Sequence, residues 1–327
     1  MEPRKGGRRL SERCGVFCLG LAVQDTILSI PRPLGGAGKV YVTARHDVGG
    51  GPAANAAVTI ARLGGKAGLG GRLGDDATAD AILAELAREG VETHWMRRCA
   101  GHTSAASVVL VDPGGERLIA VHAPPLPTGA DWLAPDLSHV GAVLCDGSWP
   151  EGATRLLRAA QAQGVPSVLD ADVTRHDRAA VAGLVALATH VVFSRPGLAQ
   201  FAGTDDIAMG LAQAAAVAPD AAMLGVTDGA EGLHLWQGTG QPPARSRPRA
   251  IVARDTTGAG DAFHGALALG LAHGWTATAA IVLAHGVAAL KCTRPGGRSG
   301  LPDAAALIAF DPTLAPMLAP RARTLIP

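Results

Sequence analysis

Short apolar segments alternate with amphipathic segments through the middle of this chain of 327 residues, and this alternation constrains the fold more than any other feature. The apolar segments are typical of strands buried on both faces, and the segments between them are typical of helices. The predicted strands cover residues 142–145, 167–170, 190–193 and 223–226, and the predicted helices cover residues 152–163, 178–188 and 206–217. Strands and helices in this order predict a mostly parallel sheet with helices on both sides.

Two further stretches alternate with a period of two, which predicts strands with one wet face. One stretch covers residues 39–45. The other covers residues 105–111 and meets residues 117–121 across a turn sequence at 112–115, a pattern typical of a hairpin. We expect these strands to form a small sheet beside the main domain, as a lid or a subunit contact.

The charge and composition disfavour several classes of function. Lysine and arginine number 29 against 28 acidic residues, which favours neither nucleic acid nor an anionic membrane as a partner. One tyrosine and five phenylalanines leave little for base stacking. The five cysteines form no C-x-x-C pair, which disfavours zinc and disulfides and predicts a cytoplasmic location. No stretch reaches the roughly 20 apolar residues of a membrane span.

The start of the chain, residues 1–13, is basic and precedes an apolar run at residues 16–23. A signal peptide is disfavoured because the run is short and has no clear small-residue cleavage site. A disordered tail followed by a buried first strand is the better interpretation. Asp25 would close this strand, at the edge where open α/β sheets bind ligands. It could accept hydrogen bonds from two sugar hydroxyls, and a turn cap is the alternative.

The sequence Asp-Thr-Thr-Gly-Ala-Gly-Asp at residues 255–261 leads directly into an apolar helix. Backbone N–H groups at a helix start lack intrahelical partners and lie at the positive end of the helix dipole, so they can bind an anion. Gly258, Ala259 and Gly260 are small enough to let an anion approach these groups. Because a carboxylate repels an anion, Asp261 is expected to have a chemical role. We predict that it takes the proton from a hydroxyl that attacks a phosphoryl group.

Other small-residue turns leave a structural and a functional interpretation open. Three glycines at residues 49–51 precede a helix that carries Asn55 one turn inside, which fits either a ligand-binding backbone or a tight turn. Thr227, Gly229 and Gly232 follow a predicted strand and fit either an ordinary turn, the more frequent case, or a nucleotide contact. Neither a Walker A sequence nor a strict G-x-G-x-x-G is present, so a dinucleotide oxidoreductase loses support.

Residues 49–86 and 255–271 resemble the two signature regions of the PfkB, or ribokinase-like, carbohydrate kinase family, and the resemblance extends from about residue 16 to residue 302. It implies a ribokinase-like three-layer α/β/α domain with a small β-sheet lid, and transfer of the ATP γ-phosphoryl group to a sugar hydroxyl. The resemblance implies that Asp261 is the catalytic base and that Gly258, Ala259 and Gly260 form the anion hole. It implies that Asp25, Gly50, Gly51 and Asn55 bind the sugar, and that the nucleotide is bound by Thr227, Gly229 and Gly232 together with Gly258 and Gly260. It also implies that a monovalent cation is bound by Asp255 and Thr257 with the backbone near Arg294 and Gly296.

The chain departs from this family in one catalytic element. Many members carry an N-x-x-E element whose Glu organises Mg²⁺ and phosphate. The aligned residues here are Ser194-Arg195-Pro196-Gly197, so both the Asn and the Glu are missing. The resemblance therefore implies catalysis with a different arrangement around Mg²⁺.

Within the family, residues 48–54, 193–198 and 286–298 look most like sulfofructose kinases, and Lys39 is similar to a sulfonate-binding lysine of that group. An Arg and an Asn of that group are replaced here by Ser148 and Val121. Each lost charge-assisted hydrogen bond is worth roughly 1.5–3 kcal/mol. An unsulfonated ketose or pentose is therefore at least as well supported.

We expect an ATP-dependent kinase that acts on a primary hydroxyl of a ketose or pentose such as fructose, ribose or sulfofructose, with Mg²⁺ and with K⁺ as a further cofactor. One alternative is an adenosine-type nucleoside kinase, for which the predicted lid offers only Tyr41 as an aromatic wall. The other is a non-catalytic sugar sensor, against which the presence of Asp261 argues.

The predicted organisation follows from the same comparison. The kinase domain is expected over residues 14–310, with lid segments at about 26–48 and 103–124, and a C-terminal tail over residues 311–327. An exposed lid sheet favours a homodimer formed by pairing of lid edges.

Overall fold

The computed structural model describes residues 15–33, 35, 38–114 and 116–318. The predicted basic tail at residues 1–13 lies outside the described residues, and so does the end of the predicted C-terminal tail from residue 319. In the described part of the chain, no helix is long and apolar enough to cross a membrane.

A nine-stranded sheet forms the centre of the domain. Its strands are β1 (Gly15–Leu19), β4 (Lys66–Gly74), β5 (Glu92–Cys99), β8 (Val140–Asp146), β9 (Ser167–Ala171), β10 (His190–Ser194), β11 (Met223–Thr227), β12 (Leu233–Leu235) and β13 (Ala244–Ser246). They lie in the order β13-β12-β11-β10-β9-β8-β1-β4-β5. The strands from β11 to β5 are parallel, and at one edge β12 runs antiparallel to both of its neighbours, β11 and β13. The predicted mostly parallel sheet is confirmed.

Helices cover both faces of this sheet, which gives the predicted three layers. They are α1 (Pro52–Arg62), α2 (Ala77–Arg88), α3 (Pro150–Ala162), α4 (Arg178–Val185), α5 (Arg195–Ala202), α6 (Ile207–Val217), α7 (Ala259–Ala272), α8 (Ala277–Cys292), α9 (Ala304–Phe310) and α10 (Ala315–Leu318). Alternate residues of β1 enter different cores: Val16 packs with α1, α7 and α8, whereas Phe17 packs with α3 and α6. Leu314, beyond the predicted domain end at residue 310, is buried in the first of these cores.

A separate four-stranded sheet, which we call the lid, stands beside the domain. It consists of β2 (Val23–Ser29), β3 (Ala44–Gly50), β6 (Ala106–Val111) and β7 (Arg117–His122), in the order β3-β2-β6-β7. The predicted hairpin is present as the antiparallel pair of β6 and β7.

Two details of the predicted strands are wrong. The apolar run at residues 16–23 does not form one strand: β1 ends at Leu19, and β2 begins at Val23 in the lid. Asp25 therefore lies inside a lid strand, because residues 23–29 are only half-buried and cannot continue a core strand. The strand predicted at 39–45 lies instead at Ala44–Gly50, where it pairs with β2, and Tyr41 before it is exposed.

Close approach of α1 and α7 brings the first glycine-rich turn and the Asp261 helix together. A Cβ atom at Gly265 in α7 would lie 2.6 Å from the Ala56 carbonyl oxygen of α1. Such a contact is too short, so the two helices can approach to this distance only with glycine at this position.

We expect Gly265→Ala to lower the free energy of unfolding by about 1–3 kcal/mol, because the added methyl group forces α1 and α7 apart. Gly183→Ala is the matched control, since Gly183 lies in exposed α4 with open space where its Cβ would be. Gly183→Ala should raise the free energy of unfolding by about 0.4–1 kcal/mol. Urea unfolding measures both variants, and equal stabilities would contradict the packing argument.

Candidate active site

The carboxyl ends of the parallel strands form the edge at which the candidate site lies. The chain leaves β1 toward β4 on one side and later returns to β8 on the other side, so β1 and β8 mark a topological switch point. Asp146 ends β8 there and is buried. Its carboxylate accepts hydrogen bonds from the backbone N–H groups of Leu21, at 2.8 Å, and Ala53, at 3.1 Å. Asp146 thus fixes the backbone where the chain passes from β1 to the lid and where α1 begins. This role of a carboxylate at the end of an apolar strand was not predicted from the sequence.

The three glycines at residues 49–51 make room for protein groups. A Cβ at Gly49 would lie 1.8 Å from Nη1 of Arg298, and a Cβ at Gly50 would lie 2.4 Å from Oδ2 of Asp25. Gly51 has a φ of 95°, where a side chain would also meet the Leu21 carbonyl oxygen at 2.3 Å. The glycines thus allow Asp25 and Arg298 to approach the backbone, and the predicted contacts of Gly50 and Gly51 with a sugar stay predictions.

Asp25 projects from the lid beside this backbone. Its Oδ1 accepts a hydrogen bond of 2.5 Å from Oγ of Ser107 on the neighbouring strand β6. On its other side Asp25 pairs with Val48 of β3. Because both partners belong to the lid, the carboxylate would move with the lid if the lid moves.

Asn55 links the lid-side glycines to the helix that carries Asp261. Its Nδ2 donates a hydrogen bond of 2.6 Å to Oδ2 of Asp261, and its Oδ1 accepts one of 2.9 Å from Nε of Arg298. Arg298 also donates to the Gly50 carbonyl oxygen at 2.7 Å and lies 3.5 Å from Glu85. Asn55 and Asp261 were predicted from the sequence, whereas Arg298 and Glu85, which have no motif of their own, were not.

The start of α7 has no side-chain cap, as the predicted anion site requires. Gly258 lies in the left-handed region at φ 77° and ends the preceding turn without any side-chain cap on the helix. Its position is close to the reactive side chains, since a Cβ there would lie 3.8 Å from both Asn55 Nδ2 and Asp261 Oδ2. Open space surrounds the Cβ position of Gly260. The N–H of Ala259 already donates to the Thr256 carbonyl oxygen within the turn, which leaves Gly258 and Gly260 as the better-placed donors for an anion.

Burial raises the pKa of Asp261 above its ordinary value. The hydrogen bond from Asn55 opposes this rise, and the charges of Asp146 and Asp172 add to it. Such a carboxylate binds a proton more readily than an exposed aspartate does. The arrangement suits proton abstraction next to an anion site.

Asp170 and His264 lie beneath Asp261 and were not predicted from the sequence. His264 Nδ1 lies 2.7 Å from the Gly260 carbonyl oxygen and 3.4 Å from Oδ2 of Asp170, while its Nε2 faces the Val192 carbonyl oxygen. Burial, followed by the charge of Asp261, raises the pKa of Asp170 well above its ordinary value. These two residues brace the first turn of α7 against β9 and β10.

The ammonium group of Lys291 lies between the loops that were predicted to hold a monovalent cation. Asp255 accepts hydrogen bonds from the N–H groups of Thr257, at 2.9 Å, and Gly296, at 2.8 Å, and so joins two loops. Although burial opposes the shift, these bonds and the charge of Lys291 hold the pKa of Asp255 below its usual range. Nζ of Lys291, which is fully buried, donates to the carbonyl oxygens of Asp255 and Arg294. These residues do not fit an additional cation at the same oxygens.

The predicted nucleotide residues lie at the end of β11. Thr227 donates to the Phe193 carbonyl oxygen at 3.3 Å, Gly229 begins a short exposed turn at φ 53°, and Gly232 closes that turn. No hydrogen bond between described residues joins this turn to the start of α7, so its nucleotide contacts stay predictions. Lys39 is exposed between β2 and β3, without a hydrogen bond or ion pair to the residues that the structure describes, and its sugar contact likewise stays a prediction.

Packing explains why a Glu is missing at Gly197. A Cβ at this position would lie 2.3 Å from the Ala171 carbonyl oxygen, so the site has no space for a side chain. The exposed carboxylate of Asp172, from the adjacent loop, accepts a hydrogen bond from Ser194 at the start of α5. Among the residues that the structure describes, no group of three or more His, Cys, Asp or Glu could hold a metal ion. A Mg²⁺ ion would therefore depend mainly on phosphate and water ligands.

Comparisons with known proteins agree with this geometry. Residues 15–304 match the family model of pfkB family carbohydrate kinases. A fructokinase from Klebsiella pneumoniae is 33% identical over 283 residues, which cover 77% of this chain and 88% of that protein. A solved structure from Agrobacterium tumefaciens with a provisional ribokinase assignment is 34% identical, with a TM-score of 0.81 over 93% of this chain and 99% of that one. Arabidopsis thaliana ribokinase, solved with ribose and ATP, shares the fold at 21% identity and a TM-score of 0.75, over 91% and 98% of the two chains.

We expect the double variant Arg298→Met, Glu85→Gln to raise the pKa of Asp261, because the carboxylate loses a nearby positive charge and its Asn55 donor loses a fixed orientation. Both charges are removed together so that no buried charge stays unpaired. NMR titration of the carboxyl carbon measures this pKa, with Asp261→Asn to assign the signal. Glu85→Gln alone keeps the contacts of Arg298 with Asn55 and Gly50 and is the control. An unchanged pKa of Asp261 in the double variant would contradict this effect of Arg298.

Proposed function

This chain belongs to the pfkB family of carbohydrate kinases, which are phosphotransferases with an alcohol group as acceptor, and we propose that it transfers the γ-phosphoryl group of ATP to a primary hydroxyl of a ketose or pentose in the cytoplasm. The observation that carries the proposal is the position of Asp261. Its carboxylate lies in the first turn of α7, next to a helix start that no side chain caps, so the proposed base and the proposed anion site are adjacent.

The proposed chemistry follows from these two groups. The sugar hydroxyl loses its proton to Asp261 as its oxygen forms a bond to the γ-phosphorus, and the bond from that phosphorus to the ADP oxygen breaks. The N–H groups of Gly258 and Gly260 stabilise the negative charge on the transferring group, at the positive end of the α7 dipole. Asn55 holds the carboxylate toward the reacting hydroxyl.

The sugar is proposed to bind between the large domain and the lid. Asp25 can accept hydrogen bonds from hydroxyl groups, and Asn55 keeps one amide hydrogen after its bond to Asp261. The register of the lid strands puts aliphatic side chains on the face that carries Asp25, namely those of Ile27, Val48, Val109, Ile119 and Val121. An aliphatic wall supports a neutral acceptor, and closure of this wall would exclude water from the reaction.

ATP is supported by the Arabidopsis thaliana ribokinase structure, which contains ribose and ATP. Thr227, Gly229 and Gly232 are the proposed contacts of the nucleotide. Mg²⁺, when bound, would neutralise charge on the ATP phosphates. Asp172 is the exposed carboxylate at this edge and would hold the ion through water.

The test of the proposal is ADP release, measured with fructose, ribose, tagatose, 2-keto-3-deoxygluconate, fructose phosphates, sulfofructose and adenosine as acceptors. We expect turnover with a neutral ketose or pentose. Preference for adenosine would favour the nucleoside kinase alternative. If calorimetry shows that a sugar binds but no ADP is released, the result would favour a non-catalytic sensor.

Asp261→Asn should retain binding of sugar and ATP but lose about 10²–10⁴-fold in kcat, because the amide cannot accept the hydroxyl proton. Asp25→Asn is the comparison variant, and we expect it mainly to raise KM for the sugar. Steady-state kinetics and calorimetry separate the two effects. Near-normal turnover of Asp261→Asn would remove Asp261 as the base.

We also propose that the lid forms a homodimer contact. Among the residues that the structure describes, ten large apolar side chains are exposed, and six of them lie in or beside the lid: Tyr41, Val42, Val108, Leu118, Ile119 and Val121. Strand β7 is also an edge strand with unpaired backbone groups. Apolar residues on an open sheet edge favour pairing with a second copy of the chain.

The double variant Leu118→Glu, Ile119→Glu is expected to be monomeric, because like charges would face each other across paired edges. Val252→Glu is the control, since Val252 is 85% exposed but lies far from the lid strands in sequence and outside them. Light scattering after size-exclusion chromatography measures the mass. A dimer that survives in the lid variant would exclude this edge as the contact.

A further inference from the structure

A buried lysine lies where the family resemblance predicts a monovalent cation. Lys291 is in the last turn of α8, and its side chain is 0% exposed. Its Nζ donates to the Asp255 carbonyl oxygen at 2.8 Å and to the Arg294 carbonyl oxygen at 3.4 Å. It also lies 3.9 Å from Oδ1 of Asp255. Carbonyl oxygens together with one carboxylate are the hard oxygen ligands that a monovalent cation would use.

The ammonium group of Lys291 donates hydrogen bonds to the same two loops that a bound cation would join, at Asp255 and Arg294. Asp255 already connects them, because its carboxylate accepts N–H groups from Thr257 in one loop and Gly296 in the other. A second positive charge at the same carbonyl oxygens would be repelled by the ammonium group of Lys291. The loops therefore have one cation already, and it is covalently attached.

The surrounding residues leave space for the lysine. A Cβ at Gly300 would lie 3.2 Å from Cε of Lys291 and 3.0 Å from the Pro295 carbonyl oxygen. Any side chain at Gly300 would thus press against the lysine stem. The glycine and the lysine fit each other, which indicates that the lysine position is built into the packing.

These loops flank the anion site. Thr257 directly precedes Gly258, and a Cβ at Gly297 would lie 3.3 Å from Cγ2 of Thr257. The Gly297 backbone is likewise 3.8 Å from the Cβ position of Gly258. A cation that ties the two loops together therefore sets the position of the N–H groups that would bind the transferring phosphate.

We propose that the ammonium group of Lys291 takes the place of a monovalent cation, so that this kinase needs no K⁺. Lys291 is a positioning residue, since it acts through the loops beside Gly258 and touches neither substrate. This inference rests on the proposed phosphoryl transfer only for its kinetic readout, because cation binding to the loops can be measured without turnover.

The experiment compares the unchanged protein with Lys291→Ala and Lys291→Met. KCl, NH₄Cl and NaCl are titrated against tetramethylammonium chloride at constant ionic strength. The first readout is Tm without substrates, and the second is kcat/KM for the acceptor sugar. For the unchanged protein we expect neither value to respond to K⁺ or NH₄⁺.

Lys291→Ala opens a space lined by the Asp255 and Arg294 carbonyl oxygens. We expect its kcat/KM to fall about 10- to 100-fold in tetramethylammonium and to recover with K⁺ or NH₄⁺. Its Tm should fall by about 2–4 °C or more and rise again with K⁺. Lys291→Met fills the space without a charge, so its losses should not be rescued by any cation.

Several results would overturn the inference. One is an increase of Tm or kcat/KM of the unchanged protein with K⁺, and another is equal rescue of the Ala and Met variants. If Lys291→Ala does not fold, the Tm of the unchanged protein decides, because a K⁺-dependent Tm contradicts the inference and a K⁺-independent Tm supports it. If no acceptor gives turnover, the proposed function fails while the Tm titration still tests the role of Lys291.

Discussion

The bridge from Arg298 through Asn55 to Asp261 is the interaction on which the rest of the site depends. A guanidinium group only donates hydrogen bonds, so it requires the oxygen of the Asn55 amide and thereby turns the amide nitrogen toward Asp261. Arg62, at the end of α1, holds the Arg298 carbonyl oxygen at 3.1 Å and so fixes the loop that supplies the guanidinium. Because a flipped amide would present its oxygen to a carboxylate, only one orientation is compatible with both neighbours.

This bridge also explains the glycine at residue 49. Arg298 is 2% exposed, and its guanidinium occupies the space where a side chain at Gly49 would be. Burial lowers the pKa of Arg298, and the Glu85 carboxylate opposes that shift. Glu85 therefore offsets part of the cost of burying the charge. The glycine-rich turn at residues 49–51 looks like a ligand-binding motif, but Gly49 in it makes room for the Arg298 guanidinium next to Asn55.

The fold could be predicted from the sequence much better than the contacts that hold the candidate site together. Alternating apolar segments specify a parallel sheet because each strand is buried on both faces, and the turn at residues 255–261 carries its chemistry in its own residue types. Asp25 was placed at the end of the wrong strand, since an apolar run does not reveal where a chain leaves one sheet for another. Arg298 and Lys291 were missed because their roles arise from partners distant in sequence, Asn55 and Asp255.

The charges of the site favour a neutral acceptor. Carboxylates converge here from the lid, from the ends of core strands and from the start of α7, namely those of Asp25, Asp146, Asp172 and Asp261, and Asp146 is buried. Arg298, the buried cation nearest to Asn55, is already paired with the Gly50 carbonyl oxygen, Asn55 and Glu85. A phosphorylated or sulfonated sugar would bring a further negative charge toward these carboxylates, whereas a neutral sugar can donate its hydroxyl hydrogens to them. The same excess of negative charge would favour a nucleotide that brings its own cation, because the buried Lys291 and Arg298 are committed to loop and amide oxygens.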